Sequence, residues 1–87
     1  MKEQDIDSDR IDEAVLALMF LTLHDLDRTS GTCRAWKPFD WDALGRLYKR
    51  GLIQNPVGKK KSVGLTSAGR ERCEQQFRRL FCASRKP

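Results

Sequence analysis

Three consecutive lysines, Lys59-Lys60-Lys61, follow the turn-forming stretch Asn55-Pro56-Val57-Gly58 and are the sharpest chemical signal in this 87-residue chain. Ammonium groups gathered on an exposed turn can each neutralise a phosphate and release its counterions, which gives salt-sensitive affinity blind to base sequence. Lysines on an exposed hairpin also simply maintain solubility and discourage edge pairing. A second basic set, Arg46, Lys49 and Arg50, falls at the end of a predicted helix. There it could reach a groove or phosphate backbone, or merely offset the negative end of the helix dipole. A third set, Arg34-Ala35-Trp36-Lys37, interleaves bases with an indole just ahead of Phe39 and Trp41. An exposed Trp36 could stack on a nucleobase or anchor a protein partner, whereas a buried one would lock a loop onto the core.

Catalysis has little to work with. Cys33 and His24 are the one nucleophile-base pair that could be assembled, with Cys33 placed in a loop and His24 at a helix end. The chain contains no G-x-S-x-G, H-E-x-x-H or glycine-rich phosphate loop. His24, Asp25, Asp27 and Cys33 lack the paired spacing of a structural zinc site. Cys73 falls on an apolar stripe and reads as a small core residue. The expectation is a non-enzyme with no catalytic residues, no metal and no cofactor.

The net charge of +5 conceals a split. Residues 1–27 carry eight acids against Lys2 and Arg10, a balance of −6, and residues 28–87 carry fifteen bases against four acids, a balance of +11. A basic surface attracts nucleic acid, anionic membrane or acidic protein without choosing among them, and a split offers two faces of opposite sign. Apolar residues at 39% and charged residues at 33% suit one small globule with a thin core. The three cysteines lack C-x-x-C spacing, so no disulfide framework is expected. The only long apolar run, Ala14 to Leu23, is about half a membrane span, and no signal region opens the chain. A cytoplasmic protein without membrane contact is expected.

The elements that must position these residues follow from period and punctuation. A first helix starts near Ser8 or Asp9, with Ile11, Ala14, Val15, Leu18 and Leu21 at helical spacing and Leu16, Met19, Phe20 and Leu23 opposite. A helix apolar all round is central to the core, half buried in a dimer, or both. Residues 25–37 show no apolar period and read as a surface loop. Asp40 caps a second helix, with Phe39 and Leu44 at staple positions, a buried face of Trp41, Leu44, Leu47 and Tyr48, and Gly51 as its stop. Leu52-Ile53 and Ser62-Val63-Gly64-Leu65 read as two strands of a hairpin tipped by the lysines. Thr66 caps a third helix with the stripe Cys73, Phe77, Leu80 and Phe81.

Leu47-Tyr48-Lys49-Arg50-Gly51-Leu52-Ile53, then Lys59-Lys60-Lys61, then Leu65-Thr66-Ser67-Ala68-Gly69 is a specific order. It resembles the second half of a MarR-like winged helix-turn-helix domain over roughly residues 40–81. The resemblance implies that the helix before Gly-Leu-Ile enters a major groove while the hairpin lies on the backbone as a wing. Two departures stand out. No positioning helix precedes Asp40, and Asp40 and Asp42 would put two carboxylates where such a helix meets the bases.

The span Ile11 to Phe81 also resembles a family of small, uncharacterised bacterial proteins. The carrying segments are Ile11 to Leu18, Arg34-Ala35-Trp36-Lys37, Phe39 to Leu44, and Pro56-Val57-Gly58-Lys59. That resemblance implies a shorter connection after the first helix, which makes Leu26 to Cys33 an insertion, and it implies no function.

Together these readings predict a mainly α fold with a small β-hairpin: winged-helix-like, with three helices and a two-stranded wing. Residues 1–8 are expected to be a flexible acidic N-terminus, 9–82 one domain and 83–87 a basic tail. The expected function is binding of nucleic acid, DNA first, or regulation through it, with Lys59, Lys60, Lys61, Arg46, Lys49, Arg50, Arg34 and Lys37 as contacts. A homodimer through the first helix is expected. The alternative is a protein-interaction module, an adaptor or mobile-element-encoded inhibitor, that has lost DNA binding and uses Trp36, Asp40 and Asp42.

Overall fold

The computed structural model of the chain describes residues 6–38 and 40–82. Helix α1 spans Ser8–Met19 and continues as a 3-10 turn over Phe20–Thr22; β1 (His24–Asp27) and β2 (Thr32–Trp36) follow. Helix α2 (Trp41–Lys49), β3 (Ser62–Leu65) and helix α3 (Ser67–Phe81) complete the order. The expected basic tail 83–87, part of the expected flexible N-terminus and the Phe39 staple lie outside the described residues. Among the described residues no helix is long and apolar enough to cross a membrane.

Helix α1 starts at Ser8, within the expected range, but its cap is Asp7 rather than Ser8 or Asp9. Asp7 holds extended backbone and accepts a hydrogen bond from the Arg10 amide at 3.2 Å, satisfying one of the orphan donors of the first turn. At the other end the Thr22 hydroxyl donates back to the Met19 carbonyl, and Leu23 is extended. His24 therefore opens β1 and does not end the first helix.

Residues 25–37 are not a loop. Most of them form the β1–β2 hairpin, with His24 opposite Arg34 and Asp27 opposite Thr32. Asp25, at a positive φ of 54°, lies where the register shifts. The turn is closed by the Gly31 amide on the Asp27 carbonyl and the Thr29 amide on the Asp27 carboxylate. The stretch Leu26 to Cys33 is therefore the body of this hairpin. Its strands escaped apolar patterning for two reasons. β1 is an exposed edge beyond His24, and the core-facing residues of β2 are only Cys33 and Ala35.

The sheet has the order β1-β2-β3, antiparallel throughout, so the fold is mixed α and β with three helices rather than mainly α. The expected two-stranded wing is reduced to a stub. β3 takes β2 as its partner, from Cys33↔Leu65 to Trp36↔Ser62. On the other side of β3 only Ile53 bridges to Leu65, with the Gln54 amide donating to the Gly64 carbonyl. Lys59, Lys60 and Lys61 accordingly lie in the connection leading into β3.

The core is built on one face of the sheet. Cys33, Ala35, Val63 and Leu65 meet Leu16 and Met19 of α1, Leu44 and Leu47 of α2, and Cys73 of α3. Asp40 caps α2 as expected, accepting from the amides of Asp42 and Ala43, and Gly51 ends it at φ 76°. Trp41 and Tyr48 were expected in the buried face and are exposed. The helix buries Ala43, Leu44 and Leu47, and residues 41 and 48, two turns apart, share a flank beside that stripe. The α3 stripe also shortens. Phe77 stacks on Phe20 at 4.8 Å, while Leu80 and Phe81 are exposed beyond the end of the core.

What sets α2 against α1 is ionic. Asp12 points inward with 1% exposure, and Arg46 grips both its oxygens, Nε to Oδ2 at 2.7 Å and the second nitrogen to Oδ1 at 2.8 Å. Next to it Glu13 accepts from Arg50 of the α2 C-terminus and from Arg72 of α3. Adjacent residues of α1 thus tie it to both other helices. Asp12 is buried, but the Arg46 side chain is 38% exposed, so removing the carboxylate costs its charge-assisted hydrogen bonds and returns the guanidinium to water. Asp12→Ala is expected to lower the unfolding free energy by about 2 kcal/mol, measured by urea denaturation. A loss under about 1 kcal/mol would show that the pair contributes no more than an exposed one.

Candidate nucleic-acid interface

The basic residues proposed as contacts divide by chemistry. All five ion pairs among the described residues use arginine, at positions 10, 46, 50, 72 and 78, and none uses lysine. Arg46 and Arg50 are thereby committed to Asp12 and Glu13. The hydrogen-bonded carboxylate of Asp12 raises the Arg46 pKa, and Glu13 does the same for Arg72. Arg34 is committed as well, donating from Nε to the Ser62 hydroxyl and from its terminal nitrogen to the Ser62 carbonyl, both at 2.9 Å. Lys49 is exposed at the end of α2 but lines neither of the basic grooves described below.

Lys37, Lys59, Lys60 and Lys61 come together. The Lys37 amide donates to the Lys61 carbonyl at 2.7 Å, extending the β2–β3 ladder by one rung. Its ammonium reaches the Gly58 carbonyl at 3.2 Å. One residue thus pins both ends of the lysine run. The Val57 amide donates to the Asn55 side chain in the turn before it. The four lysines line a groove of about 500 Å³ together with Trp36 and Trp41. A second groove of about 300 Å³ shares Lys37, Lys59 and Lys60 and runs past Arg34, Gln54 and Asn55.

The indoles are the part whose setting sequence alone left open. Alternation along β2 sends Cys33 and Ala35 into the core and Arg34 and Trp36 to the opposite face of the sheet. Trp36 is 53% exposed and Trp41 60%. The His24 ring lies 5.5 Å from Trp36, and the Lys37 ammonium sits 5.6 Å above Trp41, within reach of a cation–π contact. Asp40, proposed as a partner contact, has its carboxylate engaged in capping, while Asp42 is exposed.

The Cys33–His24 pair is not assembled. Cys33 faces the core from the centre of the sheet, and His24, opposite Arg34, lies on the outer face. Burial raises the Cys33 thiol pKa, which Arg70 partly offsets, and pushes Cys73 up to about 12. Both thiols therefore stay protonated and poorly nucleophilic near neutral pH. Among the described residues no cluster of His, Cys, Asp and Glu could hold a metal ion.

The family model described as Domain of unknown function (DUF6429) matches residues 7–83. An uncharacterized protein, y4hR, from Sinorhizobium fredii (strain NBRC 101917 / NGR234) is 54% identical over 77 residues, which is 88% of this chain and 96% of that protein. No solved structure matches the chain.

Glu13 supplies a pH test of the ionic frame. Burial acts to raise its pKa, but the hydrogen bonds from Arg72 and Arg50 outweigh it, so the folded value lies below the ordinary 4.5. A depressed carboxylate stabilises the fold fully above its ordinary value, and that contribution is lost as pH falls through the folded one. Glu13→Gln is expected to melt lower than the parent near neutral pH, with the gap closing in acid below 4.5. A gap independent of pH would mean that charge at Glu13 does not contribute.

Proposed function

Because this chain belongs to the DUF6429 family, whose description assigns no function, we propose its role from geometry alone: it binds nucleic acid through the groove of Lys37, Lys59, Lys60 and Lys61. One observation carries this reading. Among the described residues every lysine is left unpaired by carboxylates, and four of the five, Lys37, Lys59, Lys60 and Lys61, converge on one concave surface. Lysine is a hydrated point charge that suits phosphate in the open, whereas Arg46, Arg50 and Arg72 hold helices together. In this reading the domain is winged-helix-like from residue 40 onward, with the Ile53–Leu65 stub and the lysine loop in the wing's place. α2 is not its reading helix, since Arg46 and Arg50 are committed and Asp40 and Asp42 stand at its N-terminus.

A second reading, self-association through α1, is favoured by an apolar groove of about 370 Å³ along Ile11, Val15, Leu18 and Met19. Leu18 is 48% and Leu21 67% exposed on that helix. The proposed occupant is a second copy. An antiparallel two-fold pairing would bring Asp9, in the first turn, towards the partner's Lys37 at the far end of the groove. Leu18→Glu is expected to yield a monomer from a dimeric parent, measured by light scattering on a sizing column. A parent that is monomeric at about 100 µM, where a weak dimer would already form, would sink this reading.

The nucleic-acid reading is tested by reversing charge at Lys59, Lys60 and Lys61 to Glu and titrating a labelled mixed-sequence oligonucleotide at several salt concentrations. The expected result is a large loss of affinity, with the slope of log affinity against log salt flattened by about 2–3. Unchanged binding by a folded triple variant would overturn it.

A further inference from the structure

We propose that the groove takes single-stranded nucleic acid, with Trp36 and Trp41 as stacking platforms for unpaired bases. This rests on the nucleic-acid reading above and narrows it. Three observations favour single strands over a duplex.

First, the cations border a shallow groove. Lys37 pins the lysine run through the Lys61 and Gly58 carbonyls, and all four lysines line that groove together. Second, indole rings lie in the same groove. A large apolar ring left half exposed or more on a small domain forgoes burial. Here two such rings sit among four lysines. A duplex buries the π-faces of its bases in its own stack, whereas a single strand can splay them onto aromatic side chains while its phosphates run along the basic rim. Third, the groove continues. The adjoining groove shares Lys37, Lys59 and Lys60 and leads past Arg34 on the open face of the sheet, which offers a path for several nucleotides. Helix α2 offers no competing element for a major groove, because its basic end is tied to Asp12 and Glu13.

Charge complementarity selects this occupant over an apolar partner. An acidic peptide would satisfy the lysines but leave the indoles without π-faced ligands. It is kept as an outcome of the test.

Trp36 and Trp41 are the only tryptophans in the chain, so their intrinsic fluorescence reports directly on the proposed contact. The full chain is titrated with an oligothymidylate, a blunt duplex of equal length, and poly-glutamate, each at low and moderate salt. The oligothymidylate is expected to quench the emission and to bind at least about ten-fold tighter than the duplex. Trp36→Ala and Trp41→Ala, followed by anisotropy of a labelled oligothymidylate, are each expected to weaken it by about ten-fold, from the loss of one stacked base. Their salt slope should be unchanged, because no phosphate contact is removed, and Trp→Phe variants should recover most of the loss. Circular dichroism confirms that each variant is folded.

Equal or tighter duplex binding, or alanine variants as tight as the parent, would overturn the stacking proposal while leaving the lysine reading standing. No binding of any nucleic acid at low salt would remove both. Quenching by poly-glutamate as strong as that by oligothymidylate would assign the groove to an acidic protein segment and overturn the proposal.

Discussion

The arrangement of this domain depends on a carboxylate placed where a hydrophobic residue would normally sit. Asp12 is on the inward side of α1, out of solvent, and is tolerable there only because Arg46 meets both its oxygens. A bidentate pair fixes distance and rotation together, so α2 has one seating on α1. Glu13 extends the constraint to α3 through Arg72 while holding the end of α2 through Arg50. In a core whose central strand contributes only Cys33 and Ala35, apolar contact alone would fix these angles weakly, and the paired charges supply the missing directionality.

That constraint also redistributes charge. The acidic first third and basic remainder suggest two opposed faces, but two of the acids and three of the arginines neutralise one another where α1, α2 and α3 meet. Lys37, Lys59, Lys60 and Lys61 take no part in those pairs and gather elsewhere, at the end of the sheet. In α2, the helix that would read a groove by analogy with winged-helix proteins, Arg46 and Arg50 are fasteners, and Lys49 alone of its three basic residues stands outside an ion pair.

The open face of the sheet follows from the same economy of size. Three helices on one side are enough to bury Val63, Leu65, Cys33 and Ala35, and no element among the described residues covers the side of His24, Arg34 and Trp36. Close packing elsewhere depends on glycine. A β-carbon on Gly69 would collide with the backbone of Leu52, so α3 approaches the α2–β3 connection because the residue there has no side chain. Thr66 caps the same turn while its hydroxyl lies within hydrogen-bonding distance of the Gly51 and Leu52 carbonyls.

Local rules determined much of this protein from sequence alone. The three helices, the caps Asp40 and Thr66, the stop at Gly51 and the β-character of Ser62–Leu65 depend on residues close together in the chain, and one or two turns of sequence specify them. Membership of an uncharacterised family was legible in short segments for the same reason. The β1–β2 hairpin was not legible, because an exposed edge strand and a central strand with small inward residues carry no apolar period. Nor could sequence separate Arg46 from Lys59. Both are cations in a basic stretch, and only the fold, by bringing Asp12 across 34 positions of chain to Arg46, commits one. The gathering of Trp36, Trp41 and the lysines is likewise a consequence of strand pairing, since Lys37 and Lys61 become neighbours only when β3 lies against β2. Contacts between residues far apart in sequence leave no period to read, and in this domain those contacts decide which charges are structural and which are free.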